Sequence, residues 1–180
     1  AGPGKMLSLD VPITAGSLFT GVMNMLTATS NPLKSTRFGQ PFSEKPLRLC
    51  GYYNYRPGDG DYITAQGVAT ERRDTCTIQA IFFRVDENLP GGMLDGTNNT
   101  THPNIIAIAQ LPDADRAGSP DDTYVPFDIP FVYRSDEPLD FENKEYKIAL
   151  IFSSSAKGDL YEGIIGSRLR VDGVEIVTHE

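Results

Sequence analysis

Apolar and polar residues alternate along most of the chain with the two-residue period that is typical of β-strands. The clearest case is the segment in which Tyr146, Ile148, Leu150 and Phe152 share one parity. The same criteria predict strands over residues 18–23, 47–55, 76–85, 105–111 and 169–177. Within these, residues 78–85 are apolar on both parities, which indicates a central strand covered on both of its faces.

Residues 125–133 form a further predicted strand with an unusual composition. Every second residue from Val125 to Tyr133 is apolar, whereas Pro126 and Pro130 occupy the other parity. Proline has no backbone N–H to donate to a neighbouring strand, so it is confined to edge strands and bulges. We therefore expect this strand to lie at the edge of a sheet or to be bulged.

The last strand contains one irregularity in its apolar pattern. Leu169 and Val171 share one parity, whereas Val174 and Ile176 share the other. A one-residue slip at Asp172-Gly173 would let all four face the core, and a β-bulge produces such a slip. The alternative is a hairpin turn at Asp172-Gly173, which is less favoured because its two arms would be very short.

Turn-rich segments connect these strands, and the one helical segment that the sequence suggests is a short turn near residues 21–26. Strands separated by loops indicate an all-β fold with two antiparallel sheets in a sandwich, and not a βαβ fold. Residues 1–16 show little periodicity, and we interpret them as a linker or N-terminal extension that leads from an upstream domain. Residues 17–180 then form a single β-sandwich domain.

Composition narrows the classes of function. The 180 residues carry a net charge of −8 with no basic run, which argues against nucleic-acid binding. No stretch of about 18 apolar residues is present, so no membrane span is predicted. The acidic balance is compatible with an extracellular or periplasmic domain and with Ca²⁺ binding. Cys50 and Cys76 either form one disulfide or remain as free thiols packed like small apolar residues.

No catalytic constellation is evident in the sequence. His102 and His179 lie far apart, so no zinc-ligand spacing exists. The serines at 153–155 lack the Gly-x-Ser-x-Gly pattern of a nucleophile, and turn serines commonly bond their own backbone. A glycosidase would need two carboxylates about 5–10 Å apart. The acidic residues considered for such a pair are Asp128, Asp140, Glu142, Glu145 and Glu162.

Several tyrosines could stack on the apolar face of a sugar ring. Tyr53 and Tyr55 are two residues apart on one predicted strand, so their rings share a face and Tyr52 points the other way. If that face is open, Tyr53 and Tyr55 form a platform about 7 Å long; if it faces the core, their role is packing. The sequence slightly favours the core.

Seven segments in chain order resemble the putative carbohydrate metabolism domain of Bacteroides-type bacteria over roughly residues 17–177. The segments are 32–42 (PLKSTRFGQPF), 49–58 (LCGYYNYRPG), 94–98 (LDGTN), 127–131 (FDIPF), 152–159 (FSSSAKGD), 166–167 (GS) and 171–174 (VDGV). The resemblance implies a jelly-roll β-sandwich similar to carbohydrate-binding modules. It also implies a periplasmic, outer-membrane-associated or secreted protein, often with an immunoglobulin-like domain upstream.

The function that this resemblance implies is a non-catalytic carbohydrate-binding or glycan-handling module, with a polysaccharide or oligosaccharide as partner. The alternatives are a glycoside hydrolase or lyase that uses a carboxylate pair, and a structural or adhesin-like module. Tyr53, Tyr55 and Tyr124 are the candidate ligand-binding residues. Tyr124 stands where a Trp is common in the family, and Asn54 stands where a Lys is common.

No cofactor is expected apart from a structural Ca²⁺, for which Asp172 is the candidate ligand. Carbohydrate-binding jelly rolls often hold such an ion with an acidic residue of their last strand, and a bulge would aim Asp172 out of the regular pleat. The alternative is that Asp172 accepts backbone N–H bonds and caps the bulge without an ion.

Overall fold

A computed structural model describes residues 2–6, 9–28, 30–64, 66–69 and 71–179, and within them the side chains of residue 13 onward, apart from that of Pro32. The strands are β1 (Gly2–Met6), β2 (Leu9–Thr14), β3 (Ser17–Phe19), β4 (Gly21–Met23), β5 (Thr36–Phe38), β6 (Gln40–Pro41), β7 (Arg48–Arg56), β8 (Tyr62–Thr64), β9 (Gly67–Ala69), β10 (Thr77–Val85), β11 (Leu94–Asp95), β12 (Ile105–Gln110), β13 (Val125–Pro130), β14 (Val132–Tyr133), β15 (Glu145–Ser153), β16 (Gly163–Ile164) and β17 (Arg168–Val177). The helical segments are α1 (Pro32–Ser35) and the 3₁₀ turns Asp113–Asp115, Pro120–Asp122 and Gly158–Leu160. None of them has the length and hydropathy that a membrane-spanning helix needs.

Two antiparallel sheets enclose the main core. The larger sheet has the strand order β14-β12-β10-β15-β3, with β6 also paired to β15. The smaller sheet has the order β13-β7-β17, so β7 is its central strand. The predicted all-β sandwich with two antiparallel sheets is therefore confirmed, while the jelly-roll connectivity stays a prediction.

Alternate residues of the facing strands fill the space between the two sheets. The buried residues of this core include Leu49, Tyr53, Tyr55, Ile78, Ala80, Phe82, Phe127, Ile129, Tyr146, Ile148 and Phe152. Phe82 and Tyr146 stack with ring centroids 5.5 Å apart. Burial of large side chains in this way is the main source of the stability of a sandwich, at about 1.5–3 kcal/mol for each.

The larger sheet is covered on its outer face as well. Ile81 and Phe83 point away from the main core and are fully buried in a second apolar cluster with Phe38 and Leu94. Phe38 and Leu94 belong to the small sheet β11-β5-β4, which packs over this face. The prediction that residues 78–85 form a central strand buried between two layers is confirmed.

The proline-containing segment divides between the two sheets. Strand β13 pairs with β7 at the edge of the smaller sheet, and β14 pairs with β12 at the edge of the larger one. Phe131 lies between the two strands and is buried. The predicted edge position is therefore confirmed, since both β13 and β14 are edge strands. Pro126 and Pro130 both lie in β13, where a missing N–H is tolerated.

The predicted bulge in the last strand is present. Asp172 pairs with Tyr52, and the register then shifts so that Glu175 pairs with Cys50. Leu169, Val171, Val174 and Ile176 all pack against the core. Gly173 lies in the bulge with a φ of +55°, a left-handed conformation that costs a residue with a side chain about 1–2 kcal/mol.

The predicted helical turn at residues 21–26 is wrong in position. Residues 21–23 form strand β4, and a single α-helical turn occurs instead at Pro32–Ser35. Asn31 caps this turn by accepting a bond from the Lys34 N–H at 3.3 Å. An Asn cap followed by Pro at the first helical position is a standard helix start, and it carries more information than the apolar spacing near residue 21.

The N-terminal segment, which we interpret as a linker from its sequence, contains the paired strands β1 and β2. The Ile13 side chain in β2 is fully buried. Strand β2 lies next to β8, which belongs to a further small sheet with the order β16-β8-β9. The domain boundary at residue 17 stays a prediction.

Candidate functional site

The smaller sheet buries one face in the core and exposes the other to solvent. Residues that pair across an antiparallel ladder share a face, so the register of β7, β13 and β17 orders the exposed side chains in rows. Tyr52 lies between Pro126 and Asp172, Asn54 lies opposite Arg170, and Arg56 lies opposite Arg168. We call this surface the tyrosine face, and its members are Tyr52, Asn54, Arg56, Asp122, Tyr124, Pro126, Arg168, Arg170 and Asp172.

Two exposed tyrosines and a proline form an apolar strip on this face. The relative exposures of Tyr52 and Tyr124 are 52% and 49%. Tyr52 lies directly across from Pro126, and Tyr124 precedes β13 on the same outward parity. Diagonal neighbours across an antiparallel pair lie about 7–8 Å apart, so the strip is long enough to contact one to two sugar rings.

Asn54 fixes two groups that lie next to this strip, the backbone at Thr123 and the Arg170 side chain. It is on the outward side of β7 and yet fully buried. Its Nδ2 donates to the Thr123 carbonyl oxygen at 3.0 Å, and its Oδ1 accepts from Arg170 Nη1 at 3.3 Å. Because Thr123 precedes Tyr124 directly, one neutral side chain positions both the segment that carries an exposed ring and a guanidinium group.

Arginines border the strip at its upper end. Arg56 and Arg168 are directly opposite each other, although like charges in that arrangement repel. Asp122 Oδ2 lies 3.9 Å from Arg56 Nη1 and 4.0 Å from Arg168 Nη2. Asp122 has a positive φ of 52°, which Asp tolerates better than most residues. The pairs are long and exposed, so each contributes little to stability.

Asp172 lies on the bulge, as predicted, and its carboxylate accepts a hydrogen bond from the Gly173 N–H at 2.9 Å. This contact is of the capping kind. Among the described residues, no group of three or more His, Cys, Asp or Glu side chains gathers in a way that could hold a metal ion. The Ca²⁺ role of Asp172 stays a prediction.

Tyr53 and Tyr55 face the core and not the solvent. Their relative exposures are 4% and 1%, and the Tyr53 hydroxyl donates to the Asp115 carbonyl oxygen at 2.8 Å. Burial raises the pKa of Tyr53 to about 12. The core position is the alternative that the sequence slightly favours. A ligand-binding role for Tyr53 and Tyr55 is wrong, because buried rings cannot stack on a glycan. Tyr52, whose ring points to the opposite face, is the exposed ring of this strand. Binding by Tyr124 stays a prediction.

The carboxylates considered for a catalytic pair lie on β13 (Asp128), at the turn before β15 and its first residue (Asp140, Glu142 and Glu145), and just before β16 (Glu162). Asp128 pairs with Arg48 at 2.9 Å, and Glu162 pairs with Arg72 at 3.3 Å. Asp140 accepts bonds from the Asn143 side chain and backbone, which lower the pKa of its carboxyl group. Glu145 pairs with Lys147 at 3.4 Å. Asp128, Asp140, Glu145 and Glu162 are each engaged with a neighbouring group.

A groove of about 470 Å³ lies at the other end of the sandwich. Its lining includes Tyr133, Asp136, Glu137 and Phe141. Lys45 Nζ lies 5.2 Å from the centre of the Tyr133 ring, a cation–π contact. The Tyr133 hydroxyl donates to the Pro46 carbonyl oxygen at 2.7 Å. The combination of an apolar floor with a charged rim suits a small polar ligand.

A buried carboxylate joins the loops beside β16. Asp74 is 1% exposed, and its Oδ2 accepts from Ser155 Oγ at 2.6 Å, Ser167 Oγ at 2.7 Å and the Ile164 N–H at 2.9 Å. Its Oδ1 accepts from the Thr75 N–H at 2.9 Å. Ser155 therefore bonds a buried side-chain carboxylate and not its own backbone, and the non-catalytic interpretation of the serines at 153–155 stays a prediction.

Both cysteines are free thiols. Cys76 is fully buried, and burial raises the pKa of its thiol to about 12. Cys50 is half-buried on the outer side of β7 and donates to Asp128 Oδ1 at 3.3 Å. The structure thus matches the alternative of two unpaired thiols.

Comparison with known structures places this fold among carbohydrate-related proteins. A protein from Bacteroides thetaiotaomicron, described as a putative glycoside hydrolase, matches 94% of this chain with 38% identity and a TM-score of 0.85. A protein from Bacteroides vulgatus with the same description matches 93% of the chain with 31% identity and a TM-score of 0.82. The chain spans 49% of the first protein and 66% of the second. A comparison with curated proteins finds no match. The family model described as "putative carbohydrate metabolism domain" matches residues 2–177, and the chain belongs to this family.

Proposed function

We propose that this chain is a non-catalytic glycan-binding module of a secreted, periplasmic or outer-membrane-associated protein, and that a polysaccharide lies along the tyrosine face. The observation that carries the proposal is the pair of exposed rings next to Pro126, namely Tyr52 directly across from it and Tyr124 two residues before it. Membership of a carbohydrate-related family supports the ligand class.

The chemistry of the face suits a sugar chain. Aromatic rings stack against the apolar C–H face of a pyranose, and nearby polar groups bond its hydroxyls. Here Arg170 and Asp172 lie next to the rings, opposite Asn54 and Tyr52 in the ladder. Since the rings sit on paired strands whose other face is core, little entropy is lost when a ligand orders them.

Alanine variants of the two exposed rings test this proposal. We expect Tyr52→Ala and Tyr124→Ala to lower affinity for a bound polysaccharide about tenfold, the value of one aromatic contact of about 1.4 kcal/mol. Tyr161→Ala, outside the smaller sheet, serves as the matched control and should retain affinity. Binding is measured by affinity electrophoresis across plant and host polysaccharides. The proposal fails if no polysaccharide binds, or if both variants bind as tightly as the wild type.

A second candidate function is glycoside hydrolysis. The descriptions of the two similar structures favour it, and in this chain the groove that contains Asp136 and Glu137 offers two carboxylates. Glu137 lies 3.5 Å from Lys144 Nζ and 4.0 Å from Arg84 Nη1, so it is engaged with cations. Release of reducing sugar that Glu137→Gln abolishes would support hydrolysis over binding alone.

A further inference from the structure

The arginines of the tyrosine face are concentrated at one end. Arg56, Arg168 and Arg170 occupy neighbouring positions on β7 and β17, and all three are exposed. Parity places Arg168 and Arg170 on the outer side of the sheet, because Leu169 and Val171, which alternate with them, pack against the core. Arg56 shares this side because it pairs with Arg168. A chain with a net charge of −8 thus gathers three guanidinium groups beside its exposed rings.

Among the described residues, one carboxylate is paired with members of this group of three arginines. Asp122 lies 3.9 Å from Arg56 and 4.0 Å from Arg168, and both pairs are exposed. Asp172 is opposite Tyr52 and accepts the Gly173 N–H. At the far end of the sheet Asp128 is paired with Arg48 at 2.9 Å, and Glu175 follows the bulge.

Two features indicate that the cationic end is built for an anion. Arg56 and Arg168 face each other directly across the ladder, and like charges in that position repel unless an anion lies between them. In the unbound protein the Asp122 carboxylate takes this place, at 3.9 and 4.0 Å. Arg170 donates to the buried, neutral Asn54 Oδ1 at 3.3 Å, so its guanidinium is held in place without neutralisation of its charge. Planar guanidinium groups match the two oxygens of a carboxylate.

We propose that the glycan bound on the tyrosine face contains uronic acid, and that Arg56, Arg168 and Arg170 bind its carboxylate while Tyr52 and Tyr124 stack on the sugar rings. This inference rests on the proposed function, whose ligand class it narrows to acidic polysaccharides. In the unbound protein Asp122 occupies the place of the carboxylate between Arg56 and Arg168, and the ligand displaces it.

The test compares three polyuronates (polygalacturonate, alginate and hyaluronan) with their carboxyl-reduced neutral forms. We expect at least one polyuronate to bind ten times or more tightly than its neutral form, since a charge-assisted bond contributes about 1.5–3 kcal/mol, or roughly 10–100-fold. Arg168→Gln should lower affinity for the polyuronate at least tenfold more than it lowers affinity for the neutral form. Arg48→Gln, the same substitution at the far end of the sheet, should leave the preference intact.

Asp122→Asn provides a gain-of-affinity test. Asn tolerates the left-handed backbone conformation at this position as Asp does, and it removes the carboxylate that competes with the ligand. We expect about two- to fivefold tighter binding of the polyuronate, which corresponds to a few tenths of a kcal/mol up to 1 kcal/mol for an exposed pair. Affinity for the neutral form should rise by less than affinity for the polyuronate.

The outcomes separate this inference from the proposed function. Binding that depends on Tyr52 but shows no preference for any polyuronate overturns the inference and leaves the proposed function intact. Absence of all glycan binding overturns both. Binding of dextran sulfate as tight as that of the polyuronate, with no loss in Tyr52→Ala, indicates a general polyanion surface and also overturns the inference.

Discussion

Asp74 is the single buried carboxylate on which several loops of the described chain converge, and its removal should be costly. In Asp74→Ala the Ser155 and Ser167 hydroxyls can rotate, whereas the Thr75 and Ile164 N–H groups lose their acceptor. A buried donor left unsatisfied costs about 1–3 kcal/mol. The buried Ile164 N–H accounts for about 1–3 kcal/mol. The part-buried Thr75 N–H and the two lost serine bonds add roughly as much, and the relief of a buried charge offsets part of this cost. We expect a net loss of about 3 kcal/mol.

Urea unfolding followed by far-UV circular dichroism measures this loss, because the chain has no Trp. A loss of about 3 kcal/mol corresponds to a fall in melting temperature of about 6–12 °C for a domain of this size. Asp128→Ala is the matched control, since Asp128 is exposed and its pair with Arg48 should contribute only about 0–1 kcal/mol.

The stability of Asp74→Asn should lie between those of the wild type and Asp74→Ala. Its amide oxygen can still accept the bonds that Ser155, Ser167 and Ile164 donate to Oδ2 in the wild type. This variant keeps the test informative if Asp74→Ala does not fold. The reasoning is refuted if Asp74→Ala unfolds within about 1 kcal/mol of Asp128→Ala, because the buried N–H groups would then have found other acceptors.

Three further predictions follow from local geometry. Gly173→Ala should lower stability by about 1 kcal/mol in urea unfolding because φ is +55°, and Gly173→Asn should cost less. An aromatic disulfide reagent should modify Cys50 in the folded protein and Cys76 only in urea, as counted by mass spectrometry, because Cys76 is fully buried. Bonds from Asn104, Asn88 and Arg84 lower the pKa of Asp86. A lowered folded-state pKa gives stability that is present above the unfolded value of about 3.9 and lost as pH falls through the folded value. The urea midpoint of Asp86→Asn should therefore fall less steeply with pH below about 4.

The longer strands could be predicted because the two-residue period of their apolar residues is visible within each segment. The bulge at Asp172-Gly173 was predictable for the same reason, since a change of parity within one strand is visible without its partner. The short strands β5, β6, β8, β9, β11 and β16 were not predicted, because two or three residues carry too little periodicity. The family match from residue 2 also includes the segment whose sequence suggests a linker.

The candidate site was predictable only in part, because it is assembled across strands. Alternation shows that Tyr52 and Tyr53 point to opposite faces, but it does not show which face is solvent. Tyr53 and Tyr55 were candidate binding residues because their rings share one face of a single strand. The exposed rings, Tyr52 and Tyr124, come from neighbouring segments instead. Tyr124 joins Tyr52 only because Val125 pairs with Tyr53, and pairing registers of distant segments are not visible in one sequence.

On strand β7, the residues that stabilise the fold and the candidate binding residue point to opposite faces. Its odd-numbered residues Tyr53 and Tyr55 are core, so their truncation should cost about 2–5 kcal/mol of stability. Its even-numbered residue Tyr52 is half exposed, so its truncation should lower glycan affinity instead. Asn54 breaks this division, because it is outward-facing and buried, with bonds to both Thr123 and Arg170. A change at Asn54 should therefore affect stability and binding together, which marks it as a positioning residue and not a contact residue.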